Sequence, residues 1–167
     1  PIQGLLKLRQ ALGLYANIRP IKPYNDLLDL SPLKRKIIEG ADFIIFRELS
    51  GGSYYGEKKI NEQGTLASDL CEYSEDQIIR ISHLAFRAAQ NRSKKVTLVD
   101  NASVLETSRL WRRVVTEIAE IYPDVTLAFL FVDSAATQII TNPKQFDVIL
   151  TENLFGDILS DEASVIT

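Results

Sequence analysis

Short apolar runs of strand length alternate with segments of helical period along almost the whole chain, and this restricts the fold more than any other feature. ADFIIFREL (41–49), KKVTLVD (94–100), DVTLAFLFVD (124–133) and FDVILT (146–151) read as strands. Between them, LETSRLWRRVVTEIAEIY (105–122) and SAATQIITNP (134–143) read as helices. YSEDQIIRISHLAFRAAQNR (73–92) is an amphipathic helix opened by a capping box, Ser74 with Gln77. Toward the start, GLLKLRQAL (4–12) has a helical leucine pattern ended by Gly13, and YANIRPIKP (15–23) is extended and stopped by prolines. SPLKRKIIEG (31–40) predicts a short helix capped by Ser31, with Pro32 at its first position and Gly40 at its end. Residues 54–73 have no helical period and contain Gly56 and Gly64, which predicts a projecting hairpin arm. Helices alternating with apolar strands imply an α/β or α+β layered fold. No repeat, linker or low-complexity tract divides residues 1–167, so one domain is the expectation.

Charge and cysteine usage then exclude several classes. The 19 basic and 22 acidic side chains are well mixed, for a net charge of −3, and form no basic block suited to nucleic acid. No apolar run reaches membrane-spanning length. One cysteine, Cys71, cannot close an internal disulfide, which fits a reducing, cytoplasmic setting. The chain has no methionine and begins with proline, as though cut from something longer.

The densest chemistry lies in NLFGDILSDE (153–162). Asp157 and Asp161 are four residues apart in a segment that should open a helix, so both carboxylates share one face. Asp133 ends the apolar run FVDSA and offers a third. Three convergent carboxylates suit a hard cation such as Mg²⁺ or Mn²⁺. The competing reading is that acids in a first helical turn serve only the helix dipole.

Arginines recur where the backbone would hold them: Arg9 in LRQAL, Arg19 before Pro20, and Arg47 where a buried strand ends. Their forks could bind the two carboxylates of a dicarboxylate beside a metal, or each could be an ordinary surface ion pair. A surface pair suits Arg47 least, because ADFIIF should bury its strand. Tyr54, after the glycine pair 51–52, could hand a proton to a carbanion, or could pack at the base of the arm. His83, inside an apolar helix, and Cys71, with no base nearby in sequence, read as structural. No G-x-G-x-x-G or Walker-type loop appears.

The runs GLLKLRQALGLYANIRP, SPLK, RELSGGSYYGE, VTLVDNASVLETSRLWR, YPDV and NPKQFDVILTENLFGDILSDEAS together resemble the metal-dependent β-decarboxylating dehydrogenases, the isocitrate/isopropylmalate dehydrogenase family. The match is closest to the isopropylmalate branch, and it covers the central half of a family chain. The resemblance implies an α/β/α layered fold with a mixed sheet and an arm hairpin. It also implies a homodimer mated through residues about 106–142 and 54–73. The implied reaction is oxidation of 3-isopropylmalate by NAD⁺ followed by loss of its β-carboxylate, a step in leucine biosynthesis. By position, Arg9, Arg19 and Arg47 would clamp the malate carboxylates, and Tyr54 would donate the proton. Asp133, Asp157 and Asp161 would hold the metal, with Asp133 reaching the partner's site. Leu5, Leu6 and Val104 would form an apolar pocket for the isopropyl group. A third substrate carboxylate, as in isocitrate, would be stranded there at high cost.

Three departures fall on the cofactor side. The family's lysine after the VD motif is Asn101, whose amide has no proton to trade near neutrality. Its asparagine near the nicotinamide is Ser103, and its glutamate near the nicotinamide ribose is Ile2. The segments that build the adenosine and pyrophosphate pocket fall outside residues 1–167. Two expectations result. The chain is the substrate-binding, dimer-forming part of an isopropylmalate dehydrogenase-like protein with little activity alone, or it is a non-catalytic structural module of that descent.

Overall fold

A five-stranded sheet in the order β1-β2-β7-β5-β6 organises the molecule, which a computed structural model describes over residues 2–167. Its strands are β1 (Ala16–Ile21), β2 (Phe43–Glu48), β5 (Lys95–Asp100), β6 (Thr126–Phe131) and β7 (Val148–Thr151). β2, β7, β5 and β6 run parallel, and β1 pairs antiparallel with β2 at one edge, making the sheet mixed. Pro20, which cannot donate to a ladder, lies on that edge strand, opposite Ile44.

Inner strands of a parallel sheet are covered on both faces, and β7 is buried at every position. Alternate residues face opposite ways. Phe46, Val96, Leu98, Val148 and Leu150 pack with Ile78, Phe86, Trp111 and Val115 of α3 (Glu75–Gln90) and α4 (Glu106–Ala119). Phe43, Ile45, Val99 and Ile149 pack with Ala135, Ile139, Leu159 and Ala163 of α5 (Val132–Thr141) and α6 (Asn153–Ala163). This is the α/β/α layering expected. α3 opens on the predicted capping box, with the Ser74 side chain accepting from the Gln77 N–H and the Gln77 side chain from the Ser74 N–H. The arm is a two-stranded hairpin, β3 (Lys58–Ile60) with β4 (Ala67–Asp69), exposed throughout. α1 (Ile2–Ala11) buries no residue.

Two boundaries differ from expectation. Residues 31–40 do not form one helix: a 3₁₀ stretch covers Asn25–Leu30, and α2 is only Arg35–Ile38. Ser31, held extended ahead of Pro32, donates its hydroxyl to the Val165 carbonyl at 2.8 Å and accepts from the Leu33 N–H, so it caps no helix. α5 starts at Val132, not 134, so Asp133 lies in its first turn rather than at a strand end.

Candidate active site

The carboxyl ends of the adjacent strands β2 and β7 hold the predicted chemistry. Arg47, near the end of β2, is only 2% exposed. Its Nε and Nη2 both donate to the Asn153 Oδ1, at 3.0 and 2.8 Å, while Nη1 pairs with Asp157. The Tyr54 hydroxyl donates to the other Asp157 oxygen at 2.5 Å, and the guanidinium carbon stands 5.4 Å from the Tyr54 ring centre. Burial, then the Asp157 carboxylate it donates to, push the Tyr54 phenol up to about 12. Burial alone would raise Asp157, but the Tyr54 hydrogen bond and the Arg47 charge outweigh it and hold the carboxyl below its usual range.

Local sequence explains the placement. The fully buried Glu48 carboxylate accepts the N–H groups of Ser50 and Gly51, pinning the turn after β2. Gly52 then takes φ +75°, open to glycine at little cost, and a short 3₁₀ turn returns Tyr54 to the strand end. α6 is capped by Glu152, whose carboxylate accepts the Phe155 N–H at 2.6 Å and the Tyr73 hydroxyl at 2.9 Å. Burial pushes the Glu152 carboxyl up.

Asp157 and Asp161 fall in the middle and last turns of α6, whose first turn has no acid. The dipole reading therefore fails for them, since negative charge is unfavourable near a helix C-terminus. It fits Asp133, whose exposed carboxylate accepts the Ser134 N–H at 2.7 Å in the first turn of α5.

Arg47, Tyr54 and Asp157 are thus brought together. Arg9 is half-buried on α1, close enough for its charge to help lower Asp157. Asp161 shares the α6 face but is exposed. Arg19 is exposed on β1 and donates to the Asn17 side chain at 2.8 Å. Leu5 and Val104 are exposed at 47% and 67%, and Leu6 is half-buried. Ile2 is exposed, and the Ser103 hydroxyl donates to the Asn101 side chain at 3.1 Å. No three His, Cys, Asp or Glu side chains gather to hold an ion among the described residues. Sequence reasoning missed Asn153, Glu48, Glu152 and Tyr73. Only the buried-strand context of Glu48 carried a signal, as an acid deep in a strand needs donors.

A mixed sheet between two helical layers, with arginine, tyrosine and aspartate joined at adjacent strand ends, defines an α/β protein with a charged cluster at the carboxyl edge of its sheet. The chain belongs to the isocitrate/isopropylmalate dehydrogenase family, whose sequence profile matches residues 1–167. It is 55% identical over 170 residues to the 3-isopropylmalate dehydrogenase of Priestia megaterium, covering 100% of this chain and 46% of that one. It is 56% identical to that of Clostridium pasteurianum, covering 100% and 48%. A crystal structure of isocitrate dehydrogenase from Methylococcus capsulatus superposes with TM-score 0.86 at 36% identity, over 96% of this chain and 47% of that one. The chain spans about half the length of the curated relatives it matches.

Proposed function

We propose that this chain is the substrate-binding, dimer-forming part of a 3-isopropylmalate dehydrogenase-like protein, and that the Arg47–Tyr54–Asp157 cluster is its dicarboxylate and metal site. The observation that carries the reading is a single carboxylate, Asp157, contacted by both a buried guanidinium and a tyrosine hydroxyl. Arg47, with Arg9 and Arg19 from neighbouring elements, supplies the charge for two substrate carboxylates. Leu5, Leu6 and Val104 suit an alkyl substituent and no third charge.

Asp157 and Asp161 fit Mg²⁺ or Mn²⁺, hard cations content with one or two carboxylates plus substrate and water oxygens; Asp133 of a second copy completes the set in this reading. When bound, such a cation supplies Lewis-acid polarisation of a substrate oxygen. Tyr54 is protonated throughout the neutral range, so it holds a proton that it can donate to a strong base such as a carbanion. The residues at the family's nicotinamide positions do not fit NAD: Ile2 has no polar group, and Ser103 and Asn101 bond each other. Exposed Ile60 and Leu66 on the arm, with Phe129 and Phe131 on β6, favour a homodimer, because a lone hairpin is marginal in water.

Calorimetric titration of Mn²⁺ with 3-isopropylmalate into the purified chain tests the site. Saturable binding supports it; no heat with either leaves the structural-module reading, which Asn101 favours. Steady NAD⁺ reduction by the chain alone would sink that second reading.

A further inference from the structure

We infer that Asn153 is the positioning residue that sets the plane of the Arg47 guanidinium, an inference that rests on the dicarboxylate reading above. Three α6 positions on one face, Asn153, Gly156 and Asp157, form a slot for this one side chain. The Asn153 Oδ1 takes two of the guanidinium's donors, Nε and Nη2. Its amide cannot turn over, because Nδ2 donates to the Gly51 carbonyl at 3.0 Å, and the Asn153 backbone N–H donates to the Tyr73 hydroxyl at 2.9 Å. Asn153 is wholly buried, so these bonds have no water to compete with them. Gly156 closes the slot from below: a Cβ there would come within 2.6 Å of the Arg47 Cγ.

A guanidinium has five donors in a fixed plane. Asn153 occupies the edge facing the fold, which leaves the Nη1 edge turned to Asp157 and the open cluster. A neutral amide is suited to this. A carboxylate in its place would still accept from Nε and Nη2, but it would lose the donor to the Gly51 carbonyl and neutralise the charge that a substrate carboxylate needs. Asn153 thus fixes direction without spending charge, whereas Asp157 pairs with that charge directly.

Two variants separate direction from charge. In the intact chain, the Arg47 Nε–H proton, followed by ¹⁵N NMR, should exchange slowly in the wild type and in Asn153→Asp, and at least about tenfold faster in Asn153→Ala. Dicarboxylate affinity with Mn²⁺ should fall at least about tenfold in both variants, for different reasons. Ile139→Val, a core change in the other cluster, should leave proton exchange and affinity alone, so general loosening is not the cause. Slow exchange in Asn153→Ala equal to the wild type overturns the inference. So does unchanged affinity in that variant when the wild type binds. If the exchange pattern appears as stated but the wild type binds no dicarboxylate, the positioning stands and the functional reading falls.

Discussion

Two arginine clusters mark opposite ends of the same pair of strands, and they are built to different ends. At the amino ends of β2 and β7, Arg92 donates to Asp147 at 3.0 Å, to the Asp42 carboxylate at 2.7 Å and to the Asp42 carbonyl at 2.9 Å. Asp42 also meets Lys22, and Asp147 accepts the Lys95 backbone N–H. Donors and acceptors are mutually consumed. At the carboxyl ends, buried Arg47 meets one carboxylate, and a neutral amide takes two more of its donors. That lone carboxylate is shared with a tyrosine. The first cluster closes a seam; the second holds one buried arginine against one half-buried carboxylate, with Arg9 near enough for its charge to help lower Asp157. Arginine count and burial do not separate a binding site from a structural network. The neutral amide that fills one edge of Arg47, where the other cluster uses carboxylates, does.

Gly156→Ala should break the open cluster most severely. The new Cβ would stand 2.7 Å from the Arg47 Cβ and 2.6 Å from its Cγ, atoms too near the backbone to swing aside. We expect a loss of about 1–3 kcal/mol in urea unfolding and no dicarboxylate heat. A wild-type curve and isotherm would show that α6 does not press on Arg47. Asp147→Ala attacks the closed cluster, taking the acceptor from the Arg92 Nε and from the Lys95 N–H while Asp42 still holds the Arg92 Nη2. Stability should drop by about 2 kcal/mol with dicarboxylate and Mn²⁺ binding retained. Lost binding in a folded Asp147→Ala protein would erase the distinction between the two ends.

Asp157→Ala should cost at least about tenfold in Mn²⁺ affinity, roughly 1.4 kcal/mol, while Arg47 keeps its bonds to Asn153. Mn²⁺ binding equal to the wild type would remove Asp157 from the metal site. The smallest effect is one of pH. The folded-state pKa of Tyr54 is raised, so its contribution to stability is full below the ordinary tyrosine value of about 10 and is lost as pH rises through about 12. The stability difference between wild type and Tyr54→Phe should be constant to about pH 10 and shrink above it. Asp157 runs the other way: its pKa is lowered, so its contribution is present above the ordinary carboxyl value of about 4 and fades as pH falls below it. A pH-independent difference for Tyr54→Phe would mean that the phenol does not feel the Asp157 charge.

Much of this was legible because local chemistry and tertiary packing agree. The helix read at 73–92 with its capping box appears at Glu75–Gln90, and every parallel strand falls within an apolar run. Arg47 was conspicuous as a charge ending a buried strand, and Asp157 and Asp161 by their helical spacing. The short helix read over 31–40 failed because Ser31 has a better partner in Val165, which lies 134 residues away. The role of Asn153 was hidden for a similar reason. An asparagine beside a helix start reads as a cap, and nothing local says that Glu152 takes the cap or that Asn153 serves an arginine 106 positions earlier. The Asp133 acid was visible, but its helix begins two residues sooner than its pattern suggests.

The strand order also governs how such a chain can assemble in time. β7 is central in the sheet, yet it follows all its neighbours in sequence. Until it inserts, β1 with β2 and β5 with β6 are two separate ribbons with no hydrogen bonds between them. Long-range parallel pairing is slow, because the loop must close before any contact rewards it. One insertion event therefore joins the halves of the sheet, and the helix that follows β7 then carries Asp157 to Arg47, 110 residues earlier in the chain. A chain whose central strand is not paired also lacks the site, so ligand can bind only molecules in which β7 has joined the sheet.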